Sequence, residues 1–139
     1  MVLLDQGSKA WVLADLQGPR RLLGPLGLAL GTNTGIAFSL LSGRGTVLTV
    51  VLTAVAIAVG WALWRSTRRS EALALGLILG GAVGNLADRS FRRTHAVVDF
   101  LTLPHWATFN LADSAITVGT IWLGLVVLLG APSTEARSG

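Results

Sequence analysis

Cysteine is missing from all 139 residues, which rules out disulfides, thiolate metal sites and a cysteine nucleophile. Charge is scarce. Asp, Glu, Lys and Arg make up 13% of the chain against 52% hydrophobic residues, and the mean hydropathy is +0.65. A water-soluble fold would have too little polar surface, so one integral membrane domain over residues 1–139 is expected. The net charge of +4 is almost wholly arginine. Those arginines punctuate apolar runs and form no single basic face, which favours membrane-edge anchoring over nucleic-acid binding. Met1-Val2-Leu3-Leu4 leads directly into Asp5 with no basic segment before it, so no cleavable secretory signal is recognisable. No internal repeat or low-complexity tract stands out, and only the tail 132–139 reads as disordered. Common hydrolytic patterns are also absent. There is no His-Glu-x-x-His pair, no Gly-x-Ser-x-Gly elbow and no phosphate-binding glycine loop. His95 and His105 lie apart in one connection, and Ser8 and Lys9, as sequence neighbours, diverge on a helix.

What is present is a series of apolar runs that end in polar clusters. The first, about 1–16, is shorter than the roughly 20 residues of a full helical span. Asp5 and Lys9 share one helical face there, where they can neutralise each other. If Asp15 and Leu16 mark the membrane surface, Asp5 lies about 15 Å below it. The natural start is therefore expected about ten residues upstream, enough to complete a span. Residues 17–45 are rich in glycine and proline and argue against a stable helix. This outer loop reads either as two short strands, Leu26 to Leu30 and Ile36 to Leu41, about a turn at Thr32-Asn33-Thr34-Gly35, or as an ordered loop lying on the membrane. A rival reading is an extra span from Leu22 to Leu41. Asn33 by itself suits a turn.

The clearest span is 46–64, closed by Trp61, Trp64 and the basic loop Arg65-Ser66-Thr67-Arg68-Arg69. The next is 71–88, in which Gly76, Gly80 and Gly84 form a strip that lets another helix come close. Asn85 and Arg89 extend nearly the same face, and with Asp88 beside them favour a site-supporting role over simple packing. An outer connection, 89–110, is extended over Ala96 to Leu103. The last span is 111–130, where Asn110, Asp113, Thr117 and Thr120 make one polar stripe expected to face the bundle interior. Four spans put both termini on one side and gather Asp88, Asp99 and Asp113 at the opposite face.

With other chemistries absent, a carboxylate pair remains. Two close carboxylates share a proton, so one member can activate water while the other protonates a substrate carbonyl, with no metal or cofactor. Asp99, inside Val-Val-Asp-Phe-Leu, is the expected proton holder because desolvation disfavours its charge. Asp113, in the first turn of a helix, is the expected base. Asn110 and Asp113 also fit a plain helix cap with an acidic partner three residues on. Asp99 has no such structural excuse unless a partner is buried with it.

Five segments, Asp5 to Lys9, Asn33 to Ser39, Gly81 to Arg89, Val97 to Phe100 and Phe109 to Ser114, together resemble the lipoprotein signal peptidases (signal peptidase II). The resemblance runs in order over nearly the whole chain. It implies an all-α membrane protein of four transmembrane helices with a small extracytoplasmic β-cradle, in the bacterial inner membrane with cytoplasmic termini. It implies an aspartyl endopeptidase that cleaves diacylglyceryl prolipoproteins before the lipidated cysteine, acting as a monomer among membrane lipids and inhibited by globomycin-type peptides. By position, Asp99 and Asp113 match the catalytic aspartates. Asn33, Asn85, Arg89 and Asn110 match residues that line the site or hold substrate, and Asp5 and Lys9 match the first-helix pair. The first helix is shorter and the segment between the aspartates tighter than the family pattern leads one to expect. A proton-coupled transporter would instead place acids at mid-span within repeats. An inactive scaffold of the same fold would lack one aspartate.

Overall fold

The computed structural model describes residues 1–33 and 45–130. Its elements are α1 (Val2–Asp15), β1 (Arg20–Leu23), β2 (Leu26–Asn33), α2 (Gly45–Arg65), α3 (Arg69–Phe91), β3 (Val97–Thr102) and α4 (Leu111–Gly130). The fold is thus helical with a three-stranded antiparallel sheet in the order β1-β2-β3, and not all-α.

Two of the described helices, Arg69–Phe91 and Leu111–Leu129, are long and apolar enough to cross a bilayer, with mean hydropathies of 1.4 and 1.8. Their outward faces are apolar as well: Val118, Ile121, Leu125 and Leu128 all stand more than half exposed. A bilayer, and not water, is the solvent that such a surface suits. The helix α2 is similarly apolar, and its Thr53 hydroxyl is satisfied internally by the Thr49 carbonyl at 2.7 Å. At 14 residues α1 is too short for a 30 Å core.

The sheet departs from the expected turn. Gly24, with φ of +54°, and Pro25 form the hairpin bend, so β1 pairs with β2 and the strand runs unbroken through Thr32 to Asn33. Glycine tolerates that left-handed conformation without a Cβ clash, so a turn forms at 24–25, while Thr32 and Asn33 of the expected turn are strand and Thr34 and Gly35 lie outside the described residues. Strand character at 20–33 also removes the first half of the rival span. Ile36 to Leu41 and the tail 132–139 lie outside the described residues. Pairing of β2 with β3 sets Gly31 opposite Asp99 and Asn33 opposite Val97. Val12 of α1, Leu28 of β2 and Phe100 of β3 form a buried cluster that seats the sheet on the end of α1.

The helices meet through small residues, but not through the expected strip alone. A Cβ on Gly81 would collide with the Ala112 carbonyl oxygen, and one on Gly119 would come within 2.8 Å of the Ala74 carbonyl. These two glycines let α3 and α4 cross at backbone distance. Gly80 and Gly84 instead face α1, against Met1 and Asp5, while a Cβ on Gly76 would meet no described residue of another element within 4 Å. The stripe expected on α4 is rotated too. Ala112, Ala115 and Gly119 are buried, whereas Thr117 and Thr120 are exposed. Small side chains win the contact face because they admit the neighbouring backbone, and the Thr117 hydroxyl bonds its own helix at Asp113 O, 2.9 Å.

Replacing Gly81 with alanine should therefore force α3 and α4 apart and destabilise the protein by about 1–3 kcal/mol. Gly76→Ala should be neutral or slightly stabilising. Thermal unfolding of the two variants in one detergent checks this, and equal midpoints would contradict it.

Candidate active site

The site is assembled where α1, α3, β3 and the start of α4 converge. Its deepest group is the Lys9 ammonium. Nζ lies 2.7 Å from Asp5 Oδ2, 2.9 Å from Asp88 Oδ2 and 3.1 Å from Asn85 Oδ1, with Lys9, Asp5 and Asp88 all fully buried. An ammonium has three protons, and here each finds an acceptor. The Arg92 guanidinium pairs with Asp88 Oδ1 at 2.7 Å, so the cluster holds two carboxylates and two cations. Gln6 bridges Asp5 and Asp88 through its amide nitrogen, at 3.2 and 3.1 Å.

Each acid of this cluster also grips a backbone. Asp5 Oδ1 accepts the Ala112 N–H at 3.0 Å, so α1 caps the first turn of α4. Asp88 Oδ2 accepts the Val98 N–H at 3.1 Å, which fixes β3 one residue before Asp99. Gly84 makes room for Asp5, since a Cβ there would stand 2.6 Å from Asp5 Oδ2.

Above the cluster, two asparagines connect the two candidate aspartates. Lysine can only donate, so the Asn85 oxygen must face it, and the Asn85 nitrogen is left to donate to Asp113 Oδ1 at 2.8 Å. Asn110 donates to the Asn85 oxygen at 3.1 Å and to Asp99 Oδ1 at 2.7 Å. Asn110 is at the same time the helix cap. Its Oδ1 accepts the Asp113 N–H at 2.9 Å, and Asp113 Oδ2 accepts the Asn110 N–H at 3.1 Å. The reciprocal cap and the polar site are one structure.

The two carboxyls differ in setting. Asp99 is 1% exposed on β3 and its Oδ2 has no hydrogen-bond partner. Burial, and secondarily the nearby Asp113 charge, pushes its pKa up to about 6 despite hydrogen bonds from Asn110 and Asn33 and the Lys9 charge. Asp113 is only half-buried and accepts bonds on both oxygens. Among the described residues, the unpartnered oxygen thus belongs to the acid that more readily keeps a proton.

Of the residues singled out from the sequence, Asp5, Lys9, Asn85, Asn110, Asp99 and Asp113 share this one network, and Asn33 reaches it from β2. Arg89 stands apart: its Nε is buried without a partner among the described residues, and its carbonyl bonds the His95 ring at 2.8 Å. Sequence reasoning left Asp88, Gln6 and Arg92 out of the site. A signal was available, because Asn-Leu-Ala-Asp occurs twice, at 85–88 and at 110–113. The chain does contain one short repeat, and the acid of its first copy is the buried Asp88.

Residues 1–129 match the family model for signal peptidase (SPase) II. The chain belongs to the signal peptidase II family. It is 44% identical to a lipoprotein signal peptidase of Syntrophomonas wolfei over 99% of this chain and 94% of that protein. It is 45% identical to one from Streptomyces coelicolor over 91% of this chain, although it spans only 64% of that longer relative. Two solved structures of bacterial membrane enzymes, at 2.3 and 1.9 Å resolution, superpose with TM-scores of 0.81 and 0.84 at 26% identity. They cover 99% and 94% of this chain, and in each case it covers 88% of theirs.

The raised Asp99 pKa makes a stability prediction. An acid lifted from 3.8 to about 6 on folding keeps its proton only in the folded state between those values. Its contribution is fully present below pH 3.8 and is lost as pH rises through about 6. At pH 7 the buried charge costs on the order of 3 kcal/mol. Asp99→Asn should therefore raise the unfolding midpoint at pH 7, and the gain should vanish by about pH 4. A pH-independent difference between the two proteins would contradict the assignment.

Proposed function

We propose that the protein is an aspartyl endopeptidase of the bacterial inner membrane that removes the signal peptide from diacylglyceryl-modified prolipoproteins, cleaving before the lipidated cysteine. The observation that carries this reading is the linkage of Asp99 and Asp113 through Asn110 and Asn85, with one acid buried and proton-holding and the other accessible. Family membership supports the lipoprotein-processing part, and the site geometry supports the aspartate part.

The chemistry follows from the asymmetry. Asp113 removes a proton from water as the water oxygen attacks the scissile carbonyl carbon. Asp99 gives its proton to the carbonyl oxygen, so the tetrahedral intermediate forms without a bare oxyanion. The proton taken by Asp113 then passes to the departing nitrogen as the C–N bond breaks. Return of the hydroxyl proton to Asp99 restores the starting state. Asn85 and Asn110 hold the acids, Lys9 and Asp5 hold the asparagines and the helix end, and Asn33 and Arg89 bind substrate backbone. The Arg89 Nε is a buried donor that no described residue accepts.

In this reading the four helices are four spans, with loop 65–69 and both termini cytoplasmic and the aspartates at the outer face. A lipid-anchored peptide then arrives laterally, into a water-poor site where each polar contact is strengthened. Globomycin-type peptides would occupy the same place, and the enzyme acts as a monomer.

The decisive measurement is cleavage of a diacylglyceryl prolipoprotein by purified protein. Asp99→Asn and Asp113→Asn should each lose about 10²–10⁴-fold or more in rate while keeping the fold. A folded variant that cleaves at the wild-type rate would overturn the dyad. For the wild type, kcat/KM should follow a bell-shaped pH profile whose alkaline limb reports loss of the Asp99 proton, near pH 6 in the free enzyme. A single ionisation would count against the scheme.

A further inference from the structure

One cavity among the described residues contains neither aspartate. It is a groove of about 610 Å³ on the sheet, between the β1–β2 hairpin and the end of β3, walled by Arg20, Arg21, Gly27, Thr102, Leu103 and Pro104. That volume lies within the range of small-molecule sites. No acid lines the groove, and neither Arg20 nor Arg21 has an ion-pair partner within 4.0 Å among the described residues. Every residue of β1 is exposed, and the strand pairs on one side only.

The apolar neighbours indicate what surrounds the groove. Leu22 and Leu23 alternate with nothing buried and are 51% and 81% exposed. Trp106, beside the groove wall in a turn closed by its N–H on Leu103 O at 3.2 Å, is 73% exposed. Phe91, the last residue of α3, is exposed as well. Exposed aromatic side chains at the ends of membrane helices suit the headgroup region. Arginines at that depth meet lipid phosphates, which their planar fork can bind through two donors at once.

We propose that this groove binds the phosphate headgroup of an anionic membrane phospholipid through Arg20 and Arg21, with Leu22, Leu23 and Trp106 seated among the acyl chains beside it. The occupant is lipid and not free phosphate, because the two cations are framed by apolar side chains that a soluble anion would leave in water. The inference rests on the reading that the sheet lies at the membrane surface. It is independent of the aspartates, so the two can fail separately.

The test is native mass spectrometry of the full-length protein released from micelles that contain equal dioleoyl phosphatidylglycerol and dioleoyl phosphatidylcholine. Wild type should retain phosphatidylglycerol preferentially, by about fivefold or more per arginine. Arg20→Gln/Arg21→Gln should bring the ratio close to one, while Arg68→Gln/Arg69→Gln, at the opposite end of the bundle, should leave it unchanged. The Arg20/Arg21 variant should cleave a detergent-solubilised prolipoprotein at the wild-type rate. For wild type alone, raising salt tenfold should weaken the preference. Absence of a preference, its survival in the Arg20/Arg21 variant, its loss in the Arg68/Arg69 variant, insensitivity to salt, or displacement of the lipid by millimolar inorganic phosphate would each overturn the proposal.

Discussion

Three donor bonds from one buried ammonium hold the working end of this protein together. Lys9 draws Asp5 and Asp88 to within 3 Å of its nitrogen, and each acid then holds one backbone N–H. Through Asp5 the ammonium reaches Ala112 and the start of α4, and through Asp88 it reaches Val98 and the strand that carries Asp99. The two elements bearing Asp99 and Asp113 therefore share a common anchor on α1. A buried ion pair is an uncertain source of net stability, but removal of one partner leaves a bare charge and is costly. The cluster consequently specifies an arrangement more than it adds stability. It lets a helix of 14 residues, too short to be held by lipid matching alone, dock in one register.

The same ammonium sets the direction of the hydrogen bonds above it. Because Lys9 has no acceptor, Asn85 must present its oxygen downward and its nitrogen to Asp113. Asn110 is likewise constrained, with its oxygen committed to the Asp113 N–H and its nitrogen to Asn85 and Asp99. Both amides therefore donate toward the carboxyls. Donation to the charged form opposes the effect of burial, and for Asp99 burial prevails. The two carboxyls are thus held by neutral donors, with the cation that orients them one step removed.

Much of this was legible in the residues. Apolar runs bounded by arginine, asparagine and aspartate gave helix limits within two or three residues of those observed, because a continuous hydrophobic stretch has few alternatives in a bilayer. Asp99 was legible because an acid within Val-Val-Asp-Phe-Leu demands a partner. The hairpin was misplaced, since Gly24-Pro25 and Thr32 to Gly35 are both good turns and pairing with β3 chooses between them. The facing of α4 was misjudged for a related reason. Hydroxyls satisfied by their own helix carry little information about the interior, whereas Gly81 and Gly119, which admit the neighbouring backbone, carry much. Asp88 was undervalued because its four partners come from α1, α3 and β3, a convergence that no local pattern encodes.

The two copies of Asn-Leu-Ala-Asp show how position converts one set of side chains into two functions. In α3 the backbone of Asn85 is already bonded within the helix, so its side chain is free to bridge Lys9 and Asp113, and Asp88 one turn on reaches across to β3. At the start of α4 the first amides have no partner inside the helix. Asn110 spends its oxygen on the Asp113 N–H, and Asp113 returns the bond with one carboxylate oxygen. That reciprocal cap holds Asp113 at the helix mouth, half-exposed, whereas the equivalent Asp88 is fully buried between two cations. Asp88 has both oxygens committed inside the cluster, to Lys9, Arg92, Gln6 and the Val98 N–H. Asp113 at the cap is bonded by uncharged amide donors, Asn85 and the Asn110 backbone, and stays partly exposed.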